Sequence, residues 1–141
     1  MVATRSGVAL VAGAGGIIGR AVSHHLEQAG WIVRALARRP VPGFESVVSD
    51  LTDAGATASA MAQAEDTTHL FYAALSPDRD LSIEAERNGH MLGNLLDGLE
   101  AAGAPLQRVV IYQGFNISEI HLGAIASDEK LNSVSSAPQQ C

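Results

Sequence analysis

The sequence of 141 residues predicts a single domain of the α/β class, built on a doubly wound parallel sheet. Short apolar runs recur along the chain, and stretches with apolar residues at helical spacing separate them. A glycine-rich turn joins the first run to the first helix. Because strands that alternate with helices pair in parallel through right-handed crossovers, we expect the strand order 3-2-1-4-5 of a Rossmann-type fold, with the C-terminal part of that fold missing.

Five strands and three helices are expected from the apolar patterns. The strands are short apolar runs bounded by glycine, proline or polar residues, at residues 7–12, 31–36, 46–49, 68–75 and 108–113. The helices cover residues 17–29, 53–64 and 82–102. Ser82 is expected to cap the third helix. The inner stripe of that helix is expected to consist of Ile83, Leu92, Leu95, Leu96 and Leu99.

The C-terminal segment differs in composition from the rest of the chain. From Ala126 onward it is polar and serine-rich, so we expect a domain at 1–123 and a polar, disordered tail at 124–141. A changed reading frame or an alternative exon would also explain this tail, in which case the chain is an incomplete gene product. If the sheet ends at the fifth strand, the edge at Val109, Val110 and Ile111 is open, and a second copy or another partner could cover it.

Charge and composition exclude several classes of function. The net charge is −6 and the only lysine is Lys130, so we expect no nucleic-acid partner. No apolar run approaches the roughly 18 residues that a membrane span requires, so no membrane partner is expected. The only cysteine, Cys141, fits a reducing compartment, and a cytoplasmic location is expected. The five histidines lack the spacing of metal ligands, so no metal site is predicted.

The turn after the first strand reads Gly13-Ala14-Gly15-Gly16-Ile17-Ile18-Gly19, which has the spacing G-x-x-G-x-x-G. Backbone N–H groups approach a diphosphate closely only where the residues carry no side chain. The helix that follows directs the positive end of its dipole at the same point. We therefore expect this turn to hold the pyrophosphate of a dinucleotide. The alternative is a strand-to-helix turn whose glycines serve packing alone.

The end of the second strand indicates which dinucleotide is bound. Proteins that bind NAD usually carry an acidic residue there, which accepts hydrogen bonds from the ribose hydroxyls. This chain has Arg38 and Arg39, whose guanidinium groups suit a 2′-phosphate. The sequence therefore predicts NADP(H) as the cofactor, the alternative being a solvated arginine pair.

Several segments resemble one branch of the short-chain dehydrogenase/reductase superfamily, the progesterone 5β-reductase and iridoid synthase-like enzymes. The resemblance extends over about residues 7–123. Its segments are residues 13–19, 37–40, 68–72, 84–86, 88–91, 94–96 and 113–114. It implies that NADPH reduces an enone, an enal or another carbonyl compound. It further implies that Gly13, Gly16 and Gly19 hold the pyrophosphate, Arg38 and Arg39 the 2′-phosphate, and Asp50 with Leu51 the adenine.

The catalytic residues of that family are not found in this sequence. Asn116 occupies the place of the expected lysine, Ser118 stands where a tyrosine is common, and the active-site tyrosine of such enzymes lies further along the chain. Tyr112 and Asn116 do not replace the pair, because four residues of extended strand span roughly 13 Å. No catalytic residue is assigned. The sequence leaves two functions open: an NADP(H)-dependent oxidoreductase acting on a small-molecule substrate, or a non-catalytic NADP(H)-binding or protein-interaction module.

Overall fold

The computed structural model describes residues 7–113 and 116–121; for 113 and 116–121 it describes the backbone only. The strands are β1 (Val8–Ala12), β2 (Ile32–Ala37), β3 (Glu45–Val48), β4 (His69–Tyr72), β5 (Arg108–Gln113) and β6 (Asn116–His121). The helices are α1 (Ile17–Gln28), α2 (Ala54–Ala60) and α3 (Leu81–Ala101), and a 3₁₀ helix at Met61–Ala64 continues α2. The predicted tail lies outside the described residues.

The sheet has the order β3-β2-β1-β4-β5-β6. β1 lies between β2 and β4 and runs parallel to both, with Val11 opposite Ala35 on one side and Phe71 on the other. β3 and β5 extend the parallel sheet outward. The predicted order 3-2-1-4-5 is therefore confirmed.

β6 was not expected from the sequence. It runs antiparallel to β5, with Val109 opposite Ile120 and Ile111 opposite Ser118. The prediction of an open edge at Val109, Val110 and Ile111 is therefore wrong, because β6 of the same chain pairs with that edge. A second copy or another partner stays a prediction, but this edge no longer gives a reason for it.

The two faces of the sheet have separate cores. Leu10 and Ala12 of β1 belong to the core beneath α2 and α3, together with Met61 and Leu95. Ala9 and Val11 alternate with them and belong to the core of the other face, to which Leu26 of α1 contributes. This alternation follows from the two-residue period of a strand and accounts for the continuous apolar run in the sequence.

The predicted cap of α3, Ser82, is wrong, and its predicted inner stripe is wrong in part. Asp80 caps the helix, since its carboxylate accepts hydrogen bonds from the backbone N–H groups of Ser82 at 2.9 Å and Ile83 at 3.3 Å. The buried residues of α3 are Met91, Leu95, Gly98 and Leu99. Ile83 is 45% exposed. Nine residues turn a helix by about 900°, which puts Ile83 half a turn away from Leu92, so one stripe could not contain both.

Other helix and strand boundaries differ from the predicted ones by a few residues. β4 ends at Tyr72, three residues earlier than predicted, and the predicted second helix is divided between α2 and the 3₁₀ helix. In the part of the chain that the structure describes, no helix combines the length and the apolar character that crossing a bilayer requires.

Gly98 allows α3 to pack closely against α2 and the 3₁₀ helix. A Cβ at position 98 would lie 2.8 Å from Cγ of Met61, whereas a Cβ at Gly89 of the same helix would meet nothing within 4 Å.

We expect Gly98→Leu to lower the free energy of unfolding by about 1–3 kcal/mol, because the larger side chain cannot fit. Gly89→Leu should instead raise it by up to about 1 kcal/mol, because leucine is a better helix former than glycine. Urea unfolding of both variants tests this contrast, and equal effects would contradict the packing described.

Candidate functional site

A cleft of about 840 Å³ lies where the carboxyl ends of the parallel strands meet. Its volume falls within the roughly 300–1,000 Å³ typical of small-molecule sites. It is lined by Gly13, Gly15, Gly16, Arg20, residues 36–42, residues 49–52, residues 73–77 and Met91. β1 is followed by a helix on one face of the sheet and β4 by a helix on the other. The cleft therefore includes the point where the winding of the fold reverses, which is where ligands bind in open α/β sheets.

Gly13 and Gly19 are required by the fold of the turn itself. Gly13 has a φ of +80°, and a Cβ there would lie 2.6 Å from the backbone of Ala73 and Ala74. A Cβ at Gly19 would lie 2.1 Å from the carbonyl oxygen of Gly13. Packing therefore explains these two glycines without any ligand.

Gly15 and Gly16 are different, because packing leaves room for a side chain at both. A Cβ would meet nothing nearer than 4.0 Å at Gly15 and 3.6 Å at Gly16. Both residues are exposed and line the cleft. Because Gly15 and Gly16 have no side chains, the backbone of the turn is exposed on the side that faces the cleft. Packing alone does not account for this exposure.

The N-terminus of α1 is arranged differently from those of the other two helices. Asp80 caps α3 and Asp53 caps α2, but Gly16 at the N-cap of α1 has no side chain that could accept a hydrogen bond. The first N–H groups of a helix have no intrahelical acceptor. The first turn of α1 carries no acidic residue, and Arg20 directly follows it. The positive charge of Arg20 is repelled by the positive end of the helix dipole. An anion bound there would interact favourably with both the dipole and the arginine.

Arg38 and Arg39 follow β2 at the edge of the cleft. Both are exposed, and neither forms an ion pair with any residue in the described part of the chain. Arg34 of β2, by contrast, pairs with Glu45 and Asp66. The guanidinium groups of Arg38 and Arg39 are thus available to a ligand, whereas that of Arg34 is occupied by its two ion pairs.

Asp50 and Leu51 form the wall of the cleft after β3. The carboxylate of Asp50 accepts hydrogen bonds from the hydroxyl of Thr52 at 2.7 Å and from its backbone N–H at 3.0 Å. These hydrogen bonds, with a smaller contribution from the charge of Arg38, lower the pKa of Asp50 below its usual value. The carboxylate is therefore ionised at neutral pH and can accept a hydrogen bond from a ligand.

Most of the predicted site residues come together in this cleft. Those that line it are Gly13, Gly15, Gly16, Arg38, Arg39, Asp50 and Leu51. Three do not: Ile17 and Ile18 are exposed beside it, and Gly19 is buried behind the turn. Sequence reasoning missed Arg20, Met91 and residues 73–77. For Arg20 the available signal was its position immediately after the third glycine of the motif.

Neither tyrosine of the chain is placed as a proton donor in the cleft. Tyr72 is only 4% exposed, and its hydroxyl has no hydrogen-bond partner among the described residues. Burial raises its pKa to about 12. Burial also raises the pKa of Tyr112, which lies on β5. Neither tyrosine lines the cleft.

Tyr112 and Asn116 do not lie on one extended strand. Asn116 of β6 lies opposite Gln113 of β5, so Tyr112 and Asn116 are on adjacent antiparallel strands. The estimate of about 13 Å along one strand is therefore wrong. Asn116 still cannot replace the lysine, because an asparagine side chain cannot supply a positive charge.

Residues 9–113 match the model of the NAD dependent epimerase/dehydratase family. A 3-oxo-Delta(4,5)-steroid 5-beta-reductase of Arabidopsis thaliana is 30% identical over 118 residues, which cover 76% of this chain and 30% of the relative. An (S)-8-oxocitronellyl enol synthase of Nepeta cataria is 26% identical, over 93% of this chain and 35% of the relative. The chain thus spans about a third of the length of these curated relatives.

Solved structures share the fold. A short-chain dehydrogenase/reductase superfamily protein of Agrobacterium tumefaciens with bound NAD is 29% identical, with a TM-score of 0.56, over 69% of this chain and 30% of that protein. A short chain dehydrogenase of Burkholderia cenocepacia in complex with NADP is 24% identical, with a TM-score of 0.59, over 69% and 48%. The family match covers the sheet from β1 to β5, including the loops that line the cleft. The chain belongs to the NAD dependent epimerase/dehydratase family, within the short-chain dehydrogenase/reductase superfamily.

Proposed function

We propose that the chain binds NADP(H) in this cleft and is the nucleotide-binding part of an NADP(H)-dependent oxidoreductase. One observation carries the proposal: Arg38 and Arg39, without ion-pair partners in the described chain, stand at the edge of the cleft that also contains the bare turn at Gly15 and Gly16. Exposed backbone N–H groups bind a diphosphate, and guanidinium groups bind a 2′-phosphate.

The residues of the cleft fit the parts of NADP(H) in turn. The backbone N–H groups of the glycine turn and of the α1 N-terminus would hold the pyrophosphate, with Arg20 as an additional cation. Arg38 and Arg39 would hold the 2′-phosphate, which NAD lacks. Asp50 and Leu51 would meet the adenine. Gly16 supports this assignment, because packing leaves room for a side chain at this position and therefore does not explain the glycine.

The choice of NADP(H) over NAD(H) rests on this chain's own arginines. Among solved structures with this fold, one contains NAD and another NADP, so the fold is compatible with either cofactor. The exposed pair Arg38 and Arg39 favours the phosphorylated form, because its guanidinium groups can donate several hydrogen bonds to one phosphate.

The proposed reaction is the reduction of an enone, an enal or another carbonyl compound. Bound NADPH would supply the hydride for such a reaction. The names of the plant relatives, a steroid 5-beta-reductase and an enol synthase, support this class of substrate. The chain's part is to bind and orient the cofactor, since no tyrosine or lysine side chain lines the cleft in the described part of the chain.

A second candidate function is a non-catalytic NADP(H)-binding module. It is favoured by Asn116, which occupies the place expected for a lysine, and by the burial of Tyr72 away from the cleft. A small-molecule substrate belongs only to the first function, whereas NADP(H) binding belongs to both.

Replacing each arginine in turn tests the proposed contact with the 2′-phosphate. We expect Arg38→Gln and Arg39→Gln each to raise the Kd for NADPH by about 10- to 100-fold, because each removes charge-assisted hydrogen bonds worth about 1.5–3 kcal/mol. The Kd for NADH should stay unchanged. Fluorescence titration measures both, and Arg79→Gln, which removes an exposed arginine that does not line the cleft, is the control. Equal affinities of the wild type for NADPH and NADH would refute the assignment.

A side chain at position 16 tests the proposed role of the glycine turn. Gly16→Val should raise the Kd for NADPH at least tenfold, because the new side chain would occupy the space in which the backbone approaches the pyrophosphate. Its free energy of unfolding should fall by no more than about 1 kcal/mol, the usual range for a poorer N-cap. Gly89→Val makes the same substitution on an exposed part of α3 and should leave the Kd unchanged. A folded Gly16→Val protein with wild-type affinity would contradict the proposed site.

An assay of NADPH oxidation by the chain separates the two candidate functions. We expect the purified chain to bind NADPH without oxidising it above background when a conjugated enone or enal is added, because neither tyrosine lines the cleft and Asn116 cannot act as a lysine. Absorbance at the NADPH band measures turnover. Turnover that is lost in Arg38→Gln at limiting NADPH would contradict this prediction and would establish the oxidoreductase function for the chain itself.

A further inference from the structure

Two asparagines of α3 hold the backbone of two different walls of the cleft. We propose that Asn94 positions the adenosine end of the nucleotide site and that Asn88 positions its opposite end, an inference that rests on the proposed function. Neither side chain lines the cleft. Both would act through the loops that they hold, so they are positioning residues and not ligands of the nucleotide.

Asn94 holds the wall after β3. Its Nδ2 donates a hydrogen bond of 2.8 Å to the carbonyl oxygen of Leu51, which lies 43 residues earlier in the chain. The hydroxyl of Thr57 on α2 donates to the neighbouring carbonyl of Asp50 at 3.2 Å. The backbone at Asp50 and Leu51 is therefore held by two helices, which sets the position of the groups expected to meet the adenine.

Asn88 holds the wall after β4, and it uses both ends of its amide. Its Oδ1 accepts a hydrogen bond from the backbone N–H of Ser76 at 2.8 Å, and its Nδ2 donates to the carbonyl oxygen of Ser76 at 3.0 Å. The same Nδ2 donates to the carbonyl of Glu84 within α3 at 2.7 Å. Ser76 is thus paired as a strand residue would be, although β4 ends at Tyr72.

Arg87 also binds the segment after β4. Its guanidinium group donates to the carbonyl oxygen of Pro77 at 3.2 Å and forms an ion pair of 2.9 Å with Asp78. The backbone N–H of Asp78 donates in turn to the carboxylate of Glu84 at 3.0 Å. Residues 76–78 have no regular secondary structure, and side chains from the first two turns of α3 supply the hydrogen bonds that a sheet would otherwise provide.

The two walls lie at opposite ends of the cleft. The loops that line it follow β3, β2, β1 and β4, and these strands are neighbours in that order. Adjacent strands are about 4.8 Å apart, so the loops after β3 and β4 are separated by roughly 14 Å. A dinucleotide that lies across the cleft would place its adenine at the β3 end, and the rest of the molecule would extend toward β4.

Both asparagines contact backbone atoms, so the side chains of the loops are not needed for the interaction. A leucine at either position could keep the volume but could make none of these hydrogen bonds. Because the two loops are held independently, losing one asparagine should affect only the end of the site that it holds. A merely structural role would weaken the binding of every ligand alike.

The test compares Asn94→Leu and Asn88→Leu with Asp97→Leu, a control at an exposed position of the same helix. Amide hydrogen exchange should become faster in residues 49–53 for Asn94→Leu and in residues 74–78 for Asn88→Leu, with no change in the other segment. Asn94→Leu should raise the Kd for both adenosine 2′,5′-bisphosphate and NADPH, each by about tenfold. Asn88→Leu should raise the Kd for NADPH by about tenfold and leave that for adenosine 2′,5′-bisphosphate unchanged.

Two results would overturn the proposal: unchanged exchange in both segments, or a loss of affinity that is the same for both ligands in both variants. If either leucine variant fails to fold, Asn94→Asp and Asn88→Asp replace it, since aspartate keeps the size of the side chain but loses the Nδ2 donor. Absence of NADPH binding by the wild type would refute the proposed function. The exchange measurement would still decide whether each asparagine holds its loop.

Discussion

The close contact between Gly13 and Gly19 determines the geometry on which the cleft depends. With 2.1 Å between the carbonyl oxygen of Gly13 and the position of a Cβ at Gly19, α1 begins directly against the end of β1. On its other side, Gly13 packs on the backbone of Ala73 and Ala74. The turn therefore joins the end of β1, the N-terminus of α1 and the segment after β4. Any side chain at either glycine would separate these parts.

The electrostatic character of the cleft follows from this arrangement. The chain as a whole is acidic, with a net charge of −6, yet the cleft contains an uncapped helix N-terminus and the side chains of Arg20, Arg38 and Arg39. Elsewhere in the described chain, Arg34 and Arg87 are paired with carboxylates. Arg79 is exposed outside the cleft, so the cleft differs in holding three arginines next to a helix N-terminus. Such a local concentration of positive charge in an acidic protein favours an anionic ligand at that site.

α3 has a structural role that its apolar face alone does not reveal. Met91, Leu95 and Leu99 pack against the sheet, as the inner face of a helix in this fold must. The half-buried Asn88 and Asn94 hold two loops whose backbone would otherwise have fewer hydrogen bonds. The same helix thus closes the core and fixes the walls of the cleft, which explains how irregular segments can present groups in defined positions.

Local patterns in the amino-acid sequence were sufficient to predict the order β3-β2-β1-β4-β5, the glycine turn and the arginine pair after β2. These depend on local patterns, namely apolar periodicity and the residue types that each turn requires. β6, the Asp80 cap and the partner of Asn94 depended on contacts that no local pattern contains, since Leu51 is 43 residues from Asn94 and β6 is defined by its pairing with β5. The tertiary structure also separated the glycines that packing requires, Gly13 and Gly19, from Gly15 and Gly16, because only the distances to neighbouring backbone distinguish them.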